Sequence, residues 1–475
     1  MLISDLEDLE DISALLVFED DSSIFTDEYA TELVETSFYL MDEFVSFNPQ
    51  LISEPYFQDI LTEEIKELFY IQFEDQIENL YNGNDIEDDL NELLEDAVQI
   101  FIQTFFSDST IIQKEKNEII YDEKKLQILE DKIQMLRDAP QPVQRTPEWY
   151  HFRWNLITAS NAWKALESQA TINQIIYEKC QPLPNFDENS DNNEVKMVNV
   201  NSPLHWGQKY EPLTVLIYEK DFKTKVEDFG CIQHSTYKFL GASPDGIVVN
   251  HDSDRFGRML EIKNVVSRTI TGIPKKEYWT QMQLQMEVCD LDECDFLETK
   301  FIEYPDRETF INDTTNEPFY DLDNTQFINT CLSKNGKLKG EIIYFHAKEG
   351  KPFYVYKPLE CINPSAIDEW ENKTIDIYEN EPYNYTYMKT IYWKLEVLSC
   401  ILVLRNREWF KNNIGQLEKV WKIIEEERVT GYEHRAPIKK TKKEDFKNFV
   451  NQNLESQGCL LKFDKIIKID TETQK

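Results

Sequence analysis

Glycine is scarce in this chain, 13 of 475 residues, and the eight cysteines are scattered with no CxxC pair and no histidine at zinc-ligand spacing. The first shortage excludes collagen-like and low-complexity chains, and the second argues against a structural zinc, an iron–sulfur cluster or a disulfide framework. Long apolar runs are missing as well: none approaches the roughly 18 to 20 residues of a membrane span. Where a signal peptide needs positive charge the chain begins with Asp5, Glu7, Asp8 and Glu10. The expectation is a protein of a reducing compartment, neither exported nor membrane-bound. Basic residues are nearly absent from residues 1–110, which hold Lys66 alone against 30 acidic residues and so contribute −29 of the net charge of −39.

What is present is enough for packed cores. Hydrophobic residues make up 41% of the chain and aromatic residues 13%, and the length predicts two to four domains. The net charge would ordinarily exclude a nucleic-acid partner, since phosphate contacts need Lys and Arg. Once the acidic stretch is set apart, however, the other 365 residues carry only −10. Within that stretch Leu61, Ile65, Phe69, Phe73, Ile77 and Leu80 recur at helical spacing, as do Leu90, Leu94, Val98, Phe101 and Phe105 after the turn-like Asn82-Gly83-Asn84. An acidic helical domain over 1–110 follows. Its charge is read either as solvated helix faces or as a nucleic-acid mimic or docking surface for a basic partner.

Residues 111–147 read as a charged connecting helix, with Leu126, Leu129, Ile133 and Leu136 on one face, and a linker broken by Pro140, Pro142 and Pro147. From 148 to 360 helical stretches mix with strand-like runs at Gly246–Val249, Met259–Val266 and Glu341–Phe345, which makes an α/β module. The remainder, 361–475, reads as helical, with Ile391, Leu395, Leu398 and Leu402 on one stripe and Trp409 and Trp421 further on. A basic stretch around Arg435–Lys443 is either a duplex-holding segment or a nuclear-targeting or solvated run.

Chemistry concentrates in Phe239–Val249 and Met259–Val265. Ser243-Pro244-Asp245-Gly246 is turn chemistry in its own right, with Pro244 presetting φ and Gly246 accepting a positive φ. Glu261 and Lys263 stand two apart on a strand and face the same side. Alone, each feature is as well read as an ordinary turn or a solvated strand face. Together they put two carboxylates and an ammonium at one edge. Such oxygen ligands suit Mg²⁺ or Mn²⁺, and phosphodiester hydrolysis is the natural chemistry. Glu211, at the border of the stripe Trp206, Tyr210, Leu213 and Ile217, is a candidate third carboxylate or a plain surface residue. Tyr278, Gln281 and Gln285 share one helix face, opposite Trp279, Met282, Met286 and Cys289.

Taken in order, Glu148-Trp149-Tyr150-His151-Phe152-Arg153, Ile157-Thr158-Ala159-Ser160, Trp206-Gly207-Gln208-Lys209-Tyr210-Glu211, Ser243-Pro244-Asp245-Gly246, Glu261-Ile262-Lys263 and Tyr278-Trp279-Thr280-Gln281-Met282-Gln283 resemble the motif series of the lambda-exonuclease-like viral recombinase (YqaJ) family of PD-(D/E)XK nucleases. Each motif is short; their order over about 135 residues is what makes the likeness specific. The resemblance implies a restriction-endonuclease-like α/β core with a mixed central sheet flanked by helices. It implies Asp245, Glu261, Lys263 and Gln281 as catalytic residues, Glu211, Asp245, Glu261 and the carbonyl of Ile262 as ligands of Mg²⁺ (or Mn²⁺), and Arg153 with Ser160 as binders of a DNA 5′-phosphate. The implied activity is a 5′-to-3′ exonuclease on linear duplex DNA ends in viral recombination or repair, acting with a single-strand annealing protein in an infected cell's cytoplasm or nucleus, or packaged in a virion. A structure-specific endonuclease and a non-catalytic DNA-end scaffold are the alternatives. The family's phage member is a trimer, and the two flanking regions leave the oligomeric state open, a trimer among the options. Asn264-Val265 departs from the Cys-Pro frequent in the family, and the loop 250–258 is long and charged, which puts the end of the catalytic strand in question.

Overall fold

The acidic segment holds three described helices, α1 (Asp27–Phe47), α2 (Phe57–Leu80) and α3 (Asp85–Phe105), of which α2 and α3 stand where the periodicity places them. A computed structural model describes residues 27–80, 85–105, 110–112, 123–183, 199–200, 202–320, 326–347 and 350–437. The helices bury Val34, Phe38, Met41, Leu61, Ile65, Phe69, Leu94, Val98 and Phe101 in a core of their own, while the turn expected at 82–84 lies outside the described residues. This core also takes in Ile401, and Ile273 packs against it, so the acidic helices are seated on the rest of the chain.

Thereafter the described elements are β1 (Thr110–Ile112), α4 (Glu123–Asp138), α5 (Pro147–Trp154), β2 (Ile157–Thr158), α6 (Ala159–Ala162), α7 (Gln169–Cys180) and α8 (Pro203–Asp221). Strands β3 (Val226–Glu227), β4 (Ile232–Gln233), β5 (Leu240–Ala242), β6 (Gly246–Val248) and β7 (Met259–Asn264) precede α9 (Lys276–Cys289) and β8 (Glu293–Glu303). Then come α10 (Arg307–Asn312), β9 (Pro318–Tyr320), β10 (Gln326–Ile328), β11 (Lys339–His346), β12 (Pro352–Tyr356), α11 (Pro364–Glu379), β13 (Thr386–Leu404) and α12 (Arg407–Thr430). The main sheet runs β12-β11-β13-β8-β7-β6-β3, with β1 on the remaining length of β13. Within that path only β7 and β8 are parallel, joined by α9 as the crossover; β1 also lies parallel to β13. A small sheet, β2-β5-β4, stands beside it. The expected α/β core with a mixed central sheet and flanking helices is therefore present.

Two expectations about the flanks are corrected. Residues 391–402 are not a helical stripe but the middle of β13. This strand is hydrogen-bonded on both edges, to β8 along one and to β11 and β1 along the other, and has buried residues on both faces. Ile391, Trp393 and Leu395 alternate with half-buried neighbours, but Leu398–Ile401 is buried on both faces, and the 4, 3, 4 spacing of Ile391, Leu395, Leu398 and Leu402 across both parts mimics a helix. The β-branched and aromatic residues Thr390, Ile391, Tyr392, Trp393, Val397 and Ile401 carry the true preference. The sheet thus crosses the division expected at 360, and helices follow only at 364–379 and 407–430. The connecting helix is likewise shorter than 111–138: residues 110–112 pair with β13, and the helix described begins at Glu123. It is not a solvated spacer, because Ile133 and Leu136 are buried in the main core and Leu126 and Leu129 pack on it.

The charged loop 250–258 has a structural account. Arg255 and Arg258 turn inward onto Asp295 of β8, which also accepts from Tyr218 Oη at 2.6 Å, and Arg258 Nε reaches Glu293 Oε2 at 3.0 Å. Removing one partner from such a buried set costs about 3–5 kcal/mol, because the remaining charges stay buried and unpaired. The seven described cysteines, 180, 231, 289, 294, 331, 361 and 400, are free thiols. The basic stretch is described only as far as residue 437, where Arg435 is tied to Glu427 and Asn173.

Candidate active site

The site forms where β6 and β7 part. Asp245 N–H still donates to Leu260 O, at 3.1 Å, but Pro244 carries the chain away from β7, leaving the next ladder position of β7 without a backbone partner. The Asp245 carboxylate fills it, its Oδ2 accepting from Ile262 N–H at 2.7 Å. The carbonyl of Ile262 leaves the strand on the same edge as its N–H, toward Asp245. Gly246 is needed here for a reason other than the one its turn context suggests. It lies in β6 without a positive φ, and a Cβ on it would collide with Val226 of β3.

On β7 the alternation holds: Leu260 is buried in the apolar core between α8 and the sheet, and Glu261 and Lys263 share the other face. Glu261 is fully buried and every oxygen is engaged, Oε1 by Lys263 and Oε2 by Gln281 Nε2 at 2.9 Å and Gln285 Nε2 at 2.7 Å. Gln285 also donates to Ser243 O at 3.2 Å, which ties α9 to the strand-to-strand corner. The helix does this because Trp279, Met282, Met286 and Cys289 bury its other face, so the glutamines at i and i+4 are held toward Glu261. Tyr278 completes that face, its ring 4.9 Å from Lys263 Nζ.

Glu211 is exposed at the rim, on α8. That helix starts cleanly, with Ser202 Oγ accepting from His205 N–H at 3.2 Å and Pro203 in the first turn, and is anchored by Tyr210 stacking on Phe301 at 4.5 Å. Crowding of protein around the Glu211 carboxyl, followed by the charges of Glu261 and Asp228, pushes its pKa up. Asp245 is pushed well above the usual carboxylate range, first by burial and then by Glu261, with Lys263 pulling the other way. Burial alone would lower the pKa of Lys263, but Glu261 and Asp245 outweigh it and the pKa is raised, so the ammonium is firmly charged. The structure thus brings Asp245, Glu261, Lys263 and Gln281 into one bonded group and sets Glu211 beside it.

Arg153 and Ser160 lie apart from the carboxylates, at the same end of the small sheet. Thr158 pairs with Gly241 and Ile232 with Ala242, so Ser160, Cys231 and Ser243 all emerge where Asp245 does. The Arg153 guanidinium lies over Trp149, 4.7 Å from the ring centre, and opposes the burial that raises the Cys231 thiol. Lys179 Nζ donates to Arg153 O at 2.9 Å; burial and the neighbouring Arg153 and Arg428 push its pKa down to about 8. Three cations crowd there. Sequence reasoning missed Lys179, which has no motif around it, and Arg268, which pairs with the buried Glu298 opposite Lys263. Gln285 was legible as a face-mate of Gln281 but not as a second donor to Glu261.

Residues 148–292 match the family model described as the YqaJ-like viral recombinase domain. The chain is 30% identical over 317 residues to an uncharacterized protein of Acanthamoeba polyphaga mimivirus, a match covering 62% of this chain and 54% of that protein, so it spans about half the length of that relative. Among solved structures it is similar to an alkaline exonuclease from Laribacter hongkongensis (17% identity, 65% of this chain and 100% of that one, TM-score 0.32). It is also similar to a phage-related exonuclease from Haemophilus somnus (14% identity, 57% and 94%, TM-score 0.29). Within the matched residues the α/β core sets Asp245 at a strand corner and Glu261-Ile262-Lys263 on the next strand. Residues 148–292 are thus similar to a YqaJ-like viral recombinase domain, and the proteins the chain resembles include one from a mimivirus.

Proposed function

We propose that this protein is a metal-dependent deoxyribonuclease that degrades linear duplex DNA from a 5′-phosphorylated end, 5′ to 3′, in viral recombination or repair. The observation that carries the reading is the bonded group of Asp245, Glu261 and Lys263 around Ile262, with two glutamines fixing Glu261. Among the described residues no three Asp, Glu, His or Cys side chains form a ready-made metal cage. The donor chemistry nonetheless fits a hard divalent cation. Asp245 spends one oxygen on Ile262 N–H and keeps the other for a ligand, and burial first, then the charge of Glu261, raises its pKa, so a cation there would relieve both. Glu211, Asp245, Glu261 and the carbonyl of Ile262 would hold Mg²⁺ or Mn²⁺, which would supply charge neutralisation at a backbone phosphate and a lowered pKa for the attacking water.

The chain's own residues do the rest. Lys263, kept charged, stabilises the negative charge that grows on the phosphate as the water attacks. Gln281 and Gln285 hold Glu261 in one orientation. Arg153 and Ser160, beside the crowded Lys179, receive the terminal phosphate, a guanidinium gripping it at two points. The partner is then the duplex end, with a single-strand annealing protein taking the exposed strand. Among the described residues no helix is long and apolar enough to cross a membrane.

The test compares linear 5′-phosphorylated duplex, the same duplex with a 5′-hydroxyl, and covalently closed circles, with Mg²⁺, for wild type and Asp245→Ala. Loss of the phosphorylated linear substrate alone, abolished by the substitution, is the expected result. Cutting of circles makes it an endonuclease, and DNA binding without any cleavage makes it a scaffold.

A further inference from the structure

Asn264 follows Lys263 on β7 at the position where the chain departs from the family's pattern, and both ends of its side-chain amide are engaged. Its Oδ1 accepts from Thr214 Oγ1 at 2.7 Å and from Thr299 Oγ1 at 2.6 Å, and its Nδ2 donates to Gly207 O at 3.1 Å. Thr299 lies opposite it on β8, and Thr214 and Gly207 both belong to α8. Relative to Glu211 those two stand three residues after and four before, so they share its helix face, one turn on either side. In α-helical geometry the carbonyl of Gly207 is also the acceptor for the N–H of residue 211. Pro212, next in the chain, has no N–H to give the helix. That leaves the Gln208 carbonyl without its intrahelical donor, and Asn264 ties the helix one carbonyl earlier, as a second donor to Gly207 O. Thr214 and Thr299 are fully buried, and the knot sits in an apolar interface of Leu213, Ile217, Ile262 and Leu297. A buried polar knot of this kind fixes geometry because breaking it strands unpaired groups.

We infer that Asn264 is a positioning residue, clamping α8 to the catalytic strand so that Glu211 is held against Asp245 and Glu261. The inference rests on the nuclease reading above. It assigns the clamp to a residue that neither touches the phosphate nor carries charge. Partners one shell out from a metal site that orient its ligands are worth about 10- to 100-fold in metal affinity or activity.

The experiment uses the full chain and Asn264→Ala, with Thr214→Val as a second variant that removes one arm of the knot should the first fail to fold. Binding of Mn²⁺ alone is measured by calorimetry, and cleavage of the linear duplex is followed as a function of Mg²⁺. Asn264→Ala is expected to weaken Mn²⁺ binding and raise the half-saturating Mg²⁺ about tenfold, and to lower kcat with KM for DNA within about twofold. Thr214→Val moves each the same way by less, and the two together fall short of the product of their effects. Unchanged Mn²⁺ affinity and unchanged half-saturating Mg²⁺ in a folded Asn264→Ala overturn the clamp while leaving the nuclease reading standing. If wild type cleaves nothing, the nuclease reading falls, and the Mn²⁺ titration still decides whether Asn264 orders the carboxylates.

Discussion

Glu341, on β11 and opposite Tyr392 in register, is 5% exposed, and its Oε2 is buried without a hydrogen bond. Burial first, and then the charge of Glu371, push its pKa up to about 7, although Lys357 and Arg307 pull against them. An acid held above its unfolded pKa favours the native state fully only below the unfolded value. As pH rises the unfolded chain releases the proton first, so stability falls from about 4.5 to about 7 and is level beyond. A gap of two to three pKa units, at 1.36 kcal/mol each, is about 3 kcal/mol. Glu341→Gln removes the titration. Thermal melts of both proteins from pH 4.5 to 8.5 are expected to give closely similar midpoints at the acid end. The variant gains progressively through the window and keeps a constant lead of several degrees above it. Taking the difference cancels the other perturbed acids, Glu211, Asp245 and Glu298, which titrate in both proteins. A lead that does not change with pH, or a variant less stable than wild type at pH 8, refutes the reasoning.

Gln285→Leu deprives Glu261 of a donor, and since a hydrogen bond to a charged group contributes about 1.5–3 kcal/mol, kcat is expected to fall roughly 10- to 100-fold; activity equal to wild type assigns Gln285 to packing. Gly246→Ala is expected to destabilise the protein by about 1–3 kcal/mol in denaturant titrations, and a Val226→Ala second change is expected to recover part of it, since the collision is with that side chain. Deleting residues 1–140 removes α4 with its buried Ile133 and Leu136, so that protein is expected to melt earlier than one lacking residues 1–109. If the acidic helices shield the site from DNA, the shorter deletion raises the cleavage rate, and an equal or lower rate in a protein that still melts normally rejects shielding.

The core of the site was legible because its chemistry is local. Asp245, Glu261 and Lys263 fall within one corner and one strand, and period-2 alternation assigns their face; Gln281 and Gln285 follow from period 3.6 on α9. What was not legible is long-range. Nothing near residue 179 announces that α7 brings an ammonium onto Arg153, and nothing near Asn264 announces partners 57, 50 and 35 residues away. The reading of β13 failed because its apolar spacing at 391, 395, 398 and 402 also fits a helix, and the alternation of Ile391, Trp393 and Leu395 breaks off at Leu398–Ile401, where both faces are buried. Gly246 is a milder case: the residue was rightly singled out, but its constraint comes from Val226 across the sheet and not from its own φ.

Strand β13 also dictates an order of events during synthesis. Strands β7 and β8 leave the ribosome by residue 303, yet the far edge of β8 is closed only by residues 393–404, and β1 waits for residues 398–400, nearly three hundred positions later. Until then a nascent chain holds the strands of the candidate site in a sheet with an open edge, the condition that invites pairing with other chains. Loop closure over such separations is slow, so the last strand to arrive sets the pace at which the protein becomes safe from aggregation as well as complete.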